Sequence, residues 1–387
     1  MRSQSKNTPA DDSSSNSGPG EPGRENVRAA IKSSQDALGG SRPAQALSAA
    51  ENAEVAARVL DARDLLSEAL NAKGNALQKL YRYDEAMVAH EAALGFAKEV
   101  GDRLTQANAL DSKGNALRML DRYDEAMVAH EAALALAKEV GDRPAQARVL
   151  KAKGNALRML DRYDEAMVAH EAALALAKEV GDRLLQASAL GSKGDTLRML
   201  TRYDEALAAA DAALALAKEV GDRLLQASAL SSKGDLLRML TRYDEALAAS
   251  DAAVVLAREV GNRLTQANAL HSKGDTLVAL TRYDEAIVAQ DASLALAKEI
   301  GARLTQANAL NSKGNALRML DRAIREQETS NLPATRISRL RRHQHLRDQI
   351  IDRAPEPRDR SGRWAATVVG IATQLRQPVR QSGQDAA

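Results

Sequence analysis

The chain has 387 residues, of which 44% are apolar but only 2% aromatic. The formal charge of +2 gives the chain as a whole no attraction to nucleic acid or to an anionic membrane. There is no cysteine, which excludes disulfides, thiolate metal sites and cysteine nucleophiles. The apolar residues are nearly all Ala, Leu, Val and Met, which apart from Val favour helix, so the composition favours an all-helical protein.

The N-terminal segment is polar and carries no targeting signal that we recognise. Residues 1–26 are rich in Ser, Asn, Pro and Gly and lack an apolar run, so we predict a disordered segment and no signal peptide. No stretch of about 18 apolar residues follows, so no membrane span is expected. From these absences we expect a cytoplasmic protein with no membrane partner.

A unit of 40 residues recurs through the middle of the chain. A Lys-Gly-(Asn/Asp) triplet marks each copy, and its glycines are Gly74, Gly114, Gly154, Gly194, Gly234, Gly274 and Gly314. Residues 113–142 recur unchanged as residues 153–182. Recent duplication of a module explains this identity, because each unit of a repeat array contacts mainly its neighbours.

The repeat divides the chain into four parts. Residues 27–66 are a degenerate first repeat, since Arg42 aligns without gaps on Arg82. Residues 67–322 contain six full repeats and the first helix of a seventh. Beyond Arg322 the similarity ends.

Each repeat is predicted to hold two helices. Ala107, Leu110, Gly114 and Leu117 are three or four residues apart, which predicts a first helix over about 104–120. The same spacing continues from Tyr123 and predicts a second helix over about 122–140.

Capping residues are expected at both joints. Asp121 is the expected N-cap of the second helix. Gly141 is expected to end that helix in the left-handed conformation. Asp142 is then expected to cap the next first helix.

These residues resemble the tetratricopeptide repeat (TPR) pattern. The matching positions are Gly114 and Leu117 on the first helix, and Ala126, His130 and Ala133 on the second. The 40-residue period and the Gly-Asp-Arg joint are similar to the longer repeats of Pins-type G-protein-signalling scaffolds and, more loosely, of kinesin light chain. The resemblance implies an all-α, right-handed superhelical solenoid of helix-turn-helix repeats. It also implies that the first helices line the concave surface.

The resemblance implies a non-catalytic scaffold that binds a protein or an extended peptide. No P-loop or other catalytic motif is present, so we expect no enzyme activity and no cofactor. His90, His130 and His170 recur in the second helices, where they occupy the ring position of the family, and we assign them no metal. The lysines of the triplet, such as Lys113, are expected to reach an acidic residue of a second helix, and a functional role for them stays open.

The candidate binding residues follow the triplet. In the family an asparagine directly after the glycine holds the backbone of a bound peptide, and its amide offers both donors and an acceptor. The predicted peptide-binding residues on the concave surface are Asn75, Asn115, Asn155, Arg118, Lys151 and Arg158. An alternative is a solvated face with ion pairs between residues i and i+3. Later copies have Asp195, Asp235 and Asp275 instead, which are expected to offset Arg198 and Arg238, so the predicted peptide is acidic and lies in the first half.

The tail changes character, with arginine as its dominant charged residue. Residues 334–353 have an amphipathic pattern within the Arg-rich segment 323–387. The segment could cap the solenoid, bind nucleic acid or an acidic partner, or be a remnant without a role. The alternative function is therefore a nucleic-acid-linked regulator that uses this tail as its contact and the array as a partner sensor. The oligomeric state stays open.

Overall fold

The computed structural model describes residues 21–40 and 42–329, which form 15 helices and no strand. The helices are α1 (Glu21–Gly39), α2 (Pro43–Val59), α3 (Arg63–Lys79), α4 (Tyr83–Glu99), α5 (Arg103–Met119), α6 (Tyr123–Val140), α7 (Arg143–Met159), α8 (Tyr163–Glu179), α9 (Arg183–Met199), α10 (Tyr203–Glu219), α11 (Arg223–Met239), α12 (Tyr243–Glu259), α13 (Arg263–Ala279), α14 (Tyr283–Glu299) and α15 (Arg303–Thr329). Each odd-numbered helix from α3 to α13 is the first helix of a repeat, and the even-numbered helix after it is the second.

The joint between repeats is built as the sequence predicts. Gly141 has a φ of 76°, in the left-handed region that glycine adopts without a steric cost. The Asp142 carboxylate then accepts a hydrogen bond of 2.8 Å from the backbone N–H of Ala145, which satisfies one free donor of the first turn. Asp102, Asp182 and Asp222 cap their helices in the same way.

The turn inside each repeat differs from the prediction. Asp121 has a φ of 60° and is not the N-cap; that position belongs to Arg122, whose side chain makes no capping hydrogen bond. Arg122 instead pairs with Glu125 at 2.6 Å on the first turn of α6. The prediction was wrong because the tight turn needs a left-handed residue at position 121, and this conformation excludes it from the N-cap role.

A histidine fills the space above the glycine of the first helix. A Cβ added to Gly114 would lie 2.6 Å from Cε1 of His130, and His130 itself is fully buried. Gly74 and Gly154 face His90 and His170 in the same way. The glycine therefore admits a ring between the two helices of a repeat.

The array curves toward its first helices. Each first helix contacts the first helix of the next repeat, for example α5 with α7 and α11 with α13. Among the described residues, successive second helices make no comparable contact. The surface formed by the first helices is therefore the inner one, and we call it the concave surface.

Both ends of the array differ from the predicted boundaries. Helix α1 begins at Glu21, so residues 21–26 are helical and the predicted disorder is wrong for them; residues 1–20 lie outside the described residues. Helix α15 passes through Asp321 without the turn of the earlier copies and ends at Thr329, inside the predicted tail. The capping helix expected over 334–353 lies outside the described residues.

Candidate functional site

The lysine of the triplet has a structural role in every clear repeat. Lys113 Nζ lies 2.8 Å from Oε1 of Glu91, on the second helix of the preceding repeat. Equivalent ion pairs join neighbouring repeats through Lys73, Lys153, Lys193, Lys233, Lys273 and Lys313. These side chains are only partly exposed, so their stems cover apolar surface while the ammonium groups reach a carboxylate.

The asparagines one residue further on differ in how far they are engaged. All three are half-buried. The Asn115 amide donates to the carbonyl oxygen of Asp111 at 3.1 Å, one turn earlier on the same helix. Within the described part of the chain, Asn75 and Asn155 make no side-chain hydrogen bond. Their amides are thus free to pair with an incoming backbone.

The arginines one turn after the asparagines are partly buried without a counter-ion in contact. Nε of Arg118 and Nε of Arg158 are buried and have no hydrogen-bond partner. Burial, together with the nearby charge of Arg158, lowers the pKa of the Arg118 guanidinium. A buried donor without a partner costs about 1–3 kcal/mol, so both groups have unused capacity to bind an acceptor.

Lys151 lies within the same cluster of cations. Its pKa is lowered by burial and by the charges of Arg148, Arg118 and Lys79, while Asp111 acts in the opposite direction. Its Nζ donates to Oγ of Ser188 at 2.7 Å, on the next first helix. The charge of Arg118 therefore acts on Lys151, and a shared role of the two residues in peptide binding stays a prediction.

Asn75 lies on α3, one turn before Lys79, whose charge also acts on Lys151.

The carboxylates of the later repeats do not form the expected ion pairs. In the described structure no ion pair joins Asp195 to Arg198 or Asp235 to Arg238. Burial raises the pKa of Asp195, while the charges of Arg158 and Arg198 act in the opposite direction. Asp195 thus partly offsets Arg158 from the next repeat, so Arg158 carries less spare charge than we expected.

Asp235 has a hydrogen-bond partner that was not expected, although the charge of Arg238 still acts to lower its pKa. It accepts a hydrogen bond of 2.7 Å from Oγ of Ser272. Burial nevertheless raises the pKa of the Asp235 carboxyl. This hydrogen bond joins α11 to α13, the first helices of two neighbouring repeats.

Each buried histidine faces a residue of the first helix of its own repeat, at a position that the sequence analysis did not single out. Nδ1 of His90 pairs with Asn71 at 2.8 Å, and Nδ1 of His130 pairs with Asp111 at 3.0 Å. At the equivalent position His170 faces Lys151, and neither of its ring nitrogens has a partner. In the sequence the earlier residue of each pair changes from Asn71 to Asp111 and Lys151, while the histidine 19 residues later stays the same, so no joint change marks these pairs.

Burial keeps two of these rings neutral. It lowers the pKa of His90 to about 3. It lowers the pKa of His170 to about 4, with the charges of Arg158 and Lys151 contributing. Both imidazoles are thus uncharged at neutral pH.

Two features common in other proteins are not found in residues 21–40 and 42–329. No three side chains of the His, Cys, Asp or Glu type come together as metal ligands would. None of the described helices combines the length and the apolar character needed to cross a membrane.

Similar structures have the same kind of fold. A Rap protein in complex with competence and sporulation factor matches with a TM-score of 0.51 and 14% identity, over 77% of this chain and 99% of that one. Aspartyl phosphate phosphatase F from Bacillus subtilis matches with a TM-score of 0.50 and 15% identity, over 70% of this chain and 74% of that one. At these identities the likeness concerns the fold alone.

Sequence models of one family match the array. No curated protein sequence matches the chain. Models described as tetratricopeptide repeat match residues 66–100, 105–179, 185–259 and 225–299, which together cover more than half of the chain. The helix pairs, the 40-residue period and these matches agree, and the chain belongs to the tetratricopeptide repeat family.

Proposed function

We propose that this protein is a non-catalytic scaffold that binds an extended acidic peptide on the concave surface of its first repeats. Proteins of this family typically act as scaffolds for protein–protein interaction. The acidic peptide and its position are our inference from the residues on that surface. We further expect the protein to act in the cytoplasm.

The observation that carries the proposal is the cation cluster around Lys151. Arg118, Arg148 and Lys79 all depress the pKa of Lys151, whereas Asp111 is the carboxylate that opposes them. Like charges held together in a partly desolvated place repel one another. A carboxylate that binds there would relieve this repulsion and supply the acceptors that Nε of Arg118 and Nε of Arg158 lack.

The asparagines add affinity that is independent of peptide sequence. Asn155 lies one turn before Arg158 on α7 and has no partner among the described residues. Its amide can donate to a peptide carbonyl and accept from a peptide N–H. We assign backbone binding to Asn75, Asn115 and Asn155, and acidic side chains of the peptide to Arg118, Lys151 and Arg158.

The alternative function rests on residues that the structure does not describe. A nucleic-acid-linked regulator would use the Arg-rich segment 323–387, of which residues 330–387 lie outside the described residues. A phosphate-binding tail would lose affinity steeply as salt rises, and deletion of residues 330–387 would abolish that binding.

A photo-crosslinking experiment tests the proposal in the full chain and identifies the partner. A photoreactive amino acid replaces Met159, which is 38% exposed on a first helix, or Val168, which is 68% exposed on a second helix. We expect partner capture in cells from position 159 and not from position 168, with an acidic segment at the cross-linked site after mass spectrometry. Capture from position 168 alone would contradict the proposal.

A further inference from the structure

The concave surface has a hollow near the C-terminal end of the array. It has a volume of about 320 Å³ and lies between α11, α13 and α15. Val278 and Ala279 are among its lining residues, with Arg238 and Arg318 from the repeats before and after. Asp275 also lines it.

The hollow coincides with a departure from the repeat. The positions of Val278 and Ala279 hold arginine and methionine in the repeats on both sides, as in Arg238-Met239 and Arg318-Met319. Two long side chains are thus replaced by two short ones in one repeat. Arg238 and Arg318, which lie two repeats apart, therefore line one hollow. An arginine at position 278 would have continued the row of arginines between them.

The lining residues define the chemistry that fits. Two arginines and one aspartate give a net charge of +1, which matches one monoanion better than a phosphate dianion. Nε of Arg238 is buried without a hydrogen-bond partner, and guanidinium groups bind carboxylates in a bidentate manner. Val278 and Ala279 offer apolar surface to an aliphatic stem.

We propose that this hollow binds a single carboxylate on a short aliphatic stem. The amides of Asn311 and Asn315, which also line it, can donate to the same group. The carboxylate is either a glutamate side chain of a bound chain or a free small acid. The site lies in the second half of the array and is independent of the peptide site around Lys151.

Saturation-transfer NMR with the full chain tests the site, because the method detects weak ligands. The probe is butyrate, which reproduces the stem and carboxylate of glutamate, and the neutral control is butyramide. We expect transfer to butyrate and none to butyramide. Equal transfer to both, or displacement of butyrate by a lower concentration of inorganic phosphate, would overturn the proposal.

Two variants separate the hollow from general surface charge. Ala279→Met fills the hollow with the residue found at this position in most other repeats and leaves the charge unchanged. Arg318→Gln removes one cation at an exposed position. We expect both to lose transfer to butyrate while their thermal unfolding stays close to that of the parent chain. Transfer that persists in Ala279→Met would show surface attraction only and would refute the assignment.

Two further arms complete the test. In the first, a capped pentapeptide with one central glutamate competes against butyrate. Competition at about tenfold lower concentration than butyrate assigns the site to a partner side chain, and weaker competition assigns it to a free acid.

In the second, a chain with Asn115→Ala and Asn155→Ala should bind butyrate as the parent does. Loss of butyrate binding in that chain would show that the hollow is not an independent site.

Discussion

At the scale of single residues, the repeats offer internal controls, because equivalent positions hold different side chains in different copies. Gly154 faces the ring of His170, whereas Gly194 faces only Ala206 and Ala209. The same substitution should therefore have opposite effects at these two sites.

We predict that Gly154→Ala destabilises the array by about 1–3 kcal/mol, because the new methyl group would lie 2.5 Å from the buried His170 ring. We predict that Gly194→Ala stabilises it by roughly 0.5–1 kcal/mol, since alanine is favoured over glycine inside a helix and its nearest contact there is 3.5 Å. Urea unfolding of both variants measures this. Destabilisation by the same amount at both positions would contradict the packing described.

The buried histidines predict sensitivity to acid. The pKa of His170 is about 4 in the folded chain and about 6.5 when unfolded. Between these values the unfolded state binds the extra proton, so stability falls as pH is lowered. We predict that His170→Gln removes up to about 2 kcal/mol of the stability loss between pH 7 and pH 5. An unchanged loss in urea unfolding at the two pH values would count against a buried neutral ring.

At the scale of elements, the two joints of the repeat use the left-handed conformation with different residues. Glycine occupies it between repeats, as at Gly261 with a φ of 68°. Inside the repeat a non-glycine residue occupies it, which is aspartate at Asp121 and the β-branched threonine at Thr241, with a φ of 61°. The left-handed conformation costs such a residue roughly 1–2 kcal/mol.

We predict that Thr241→Gly stabilises the array by up to about 1 kcal/mol, because glycine adopts the turn without steric strain. The reverse type of change, Gly261→Ala, should destabilise it by about 1 kcal/mol. Thermal unfolding of the two variants checks this pair. A shift of both midpoints in the same direction would show that the conformation at the two joints is not the cause.

The sequence predicted the helices to within about two residues of their observed ends, because the spacing of Ala107, Leu110 and Leu117 defines one buried face. It misplaced Asp121 because a turn residue and an N-cap residue share the same preferred side chains. It could not show the hollow at Val278, because the sequence shows only that an arginine is missing there. The hollow is formed by side chains of three repeats, and their arrangement is known only from the structure. The partners of Asp235 were likewise invisible, because they lie on another repeat.

At the scale of the whole molecule, contacts between neighbouring repeats are expected to add to the stability of each repeat. Inter-repeat ion pairs such as Lys113 with Glu91, and the packing of first helix on first helix, recur along the array. We predict that chains with two, four and six clear repeats unfold at increasing urea concentrations, since each added repeat adds one interface. Equal midpoints would contradict a solenoid stabilised by its interfaces.

The central claim is that the asparagines and cations of the first repeats bind the partner. Loss of two amides that hold a peptide backbone leaves peptide groups unpaired at about 1–3 kcal/mol each. The matched positions in later repeats hold Asp235 and Asp275, which are engaged with Ser272 and Gln290. The two pairs of positions should therefore respond differently to the same truncation.

The most direct measurement compares the affinity of the captured partner for two double variants of the full chain. We predict that Asn115→Ala with Asn155→Ala weakens binding about tenfold or more, as about 1.4 kcal/mol requires. We predict that Asp235→Ala with Asp275→Ala leaves the affinity unchanged or raises it. Equal losses in both double variants, or no loss in the first, would contradict a binding site on the concave surface of the first repeats.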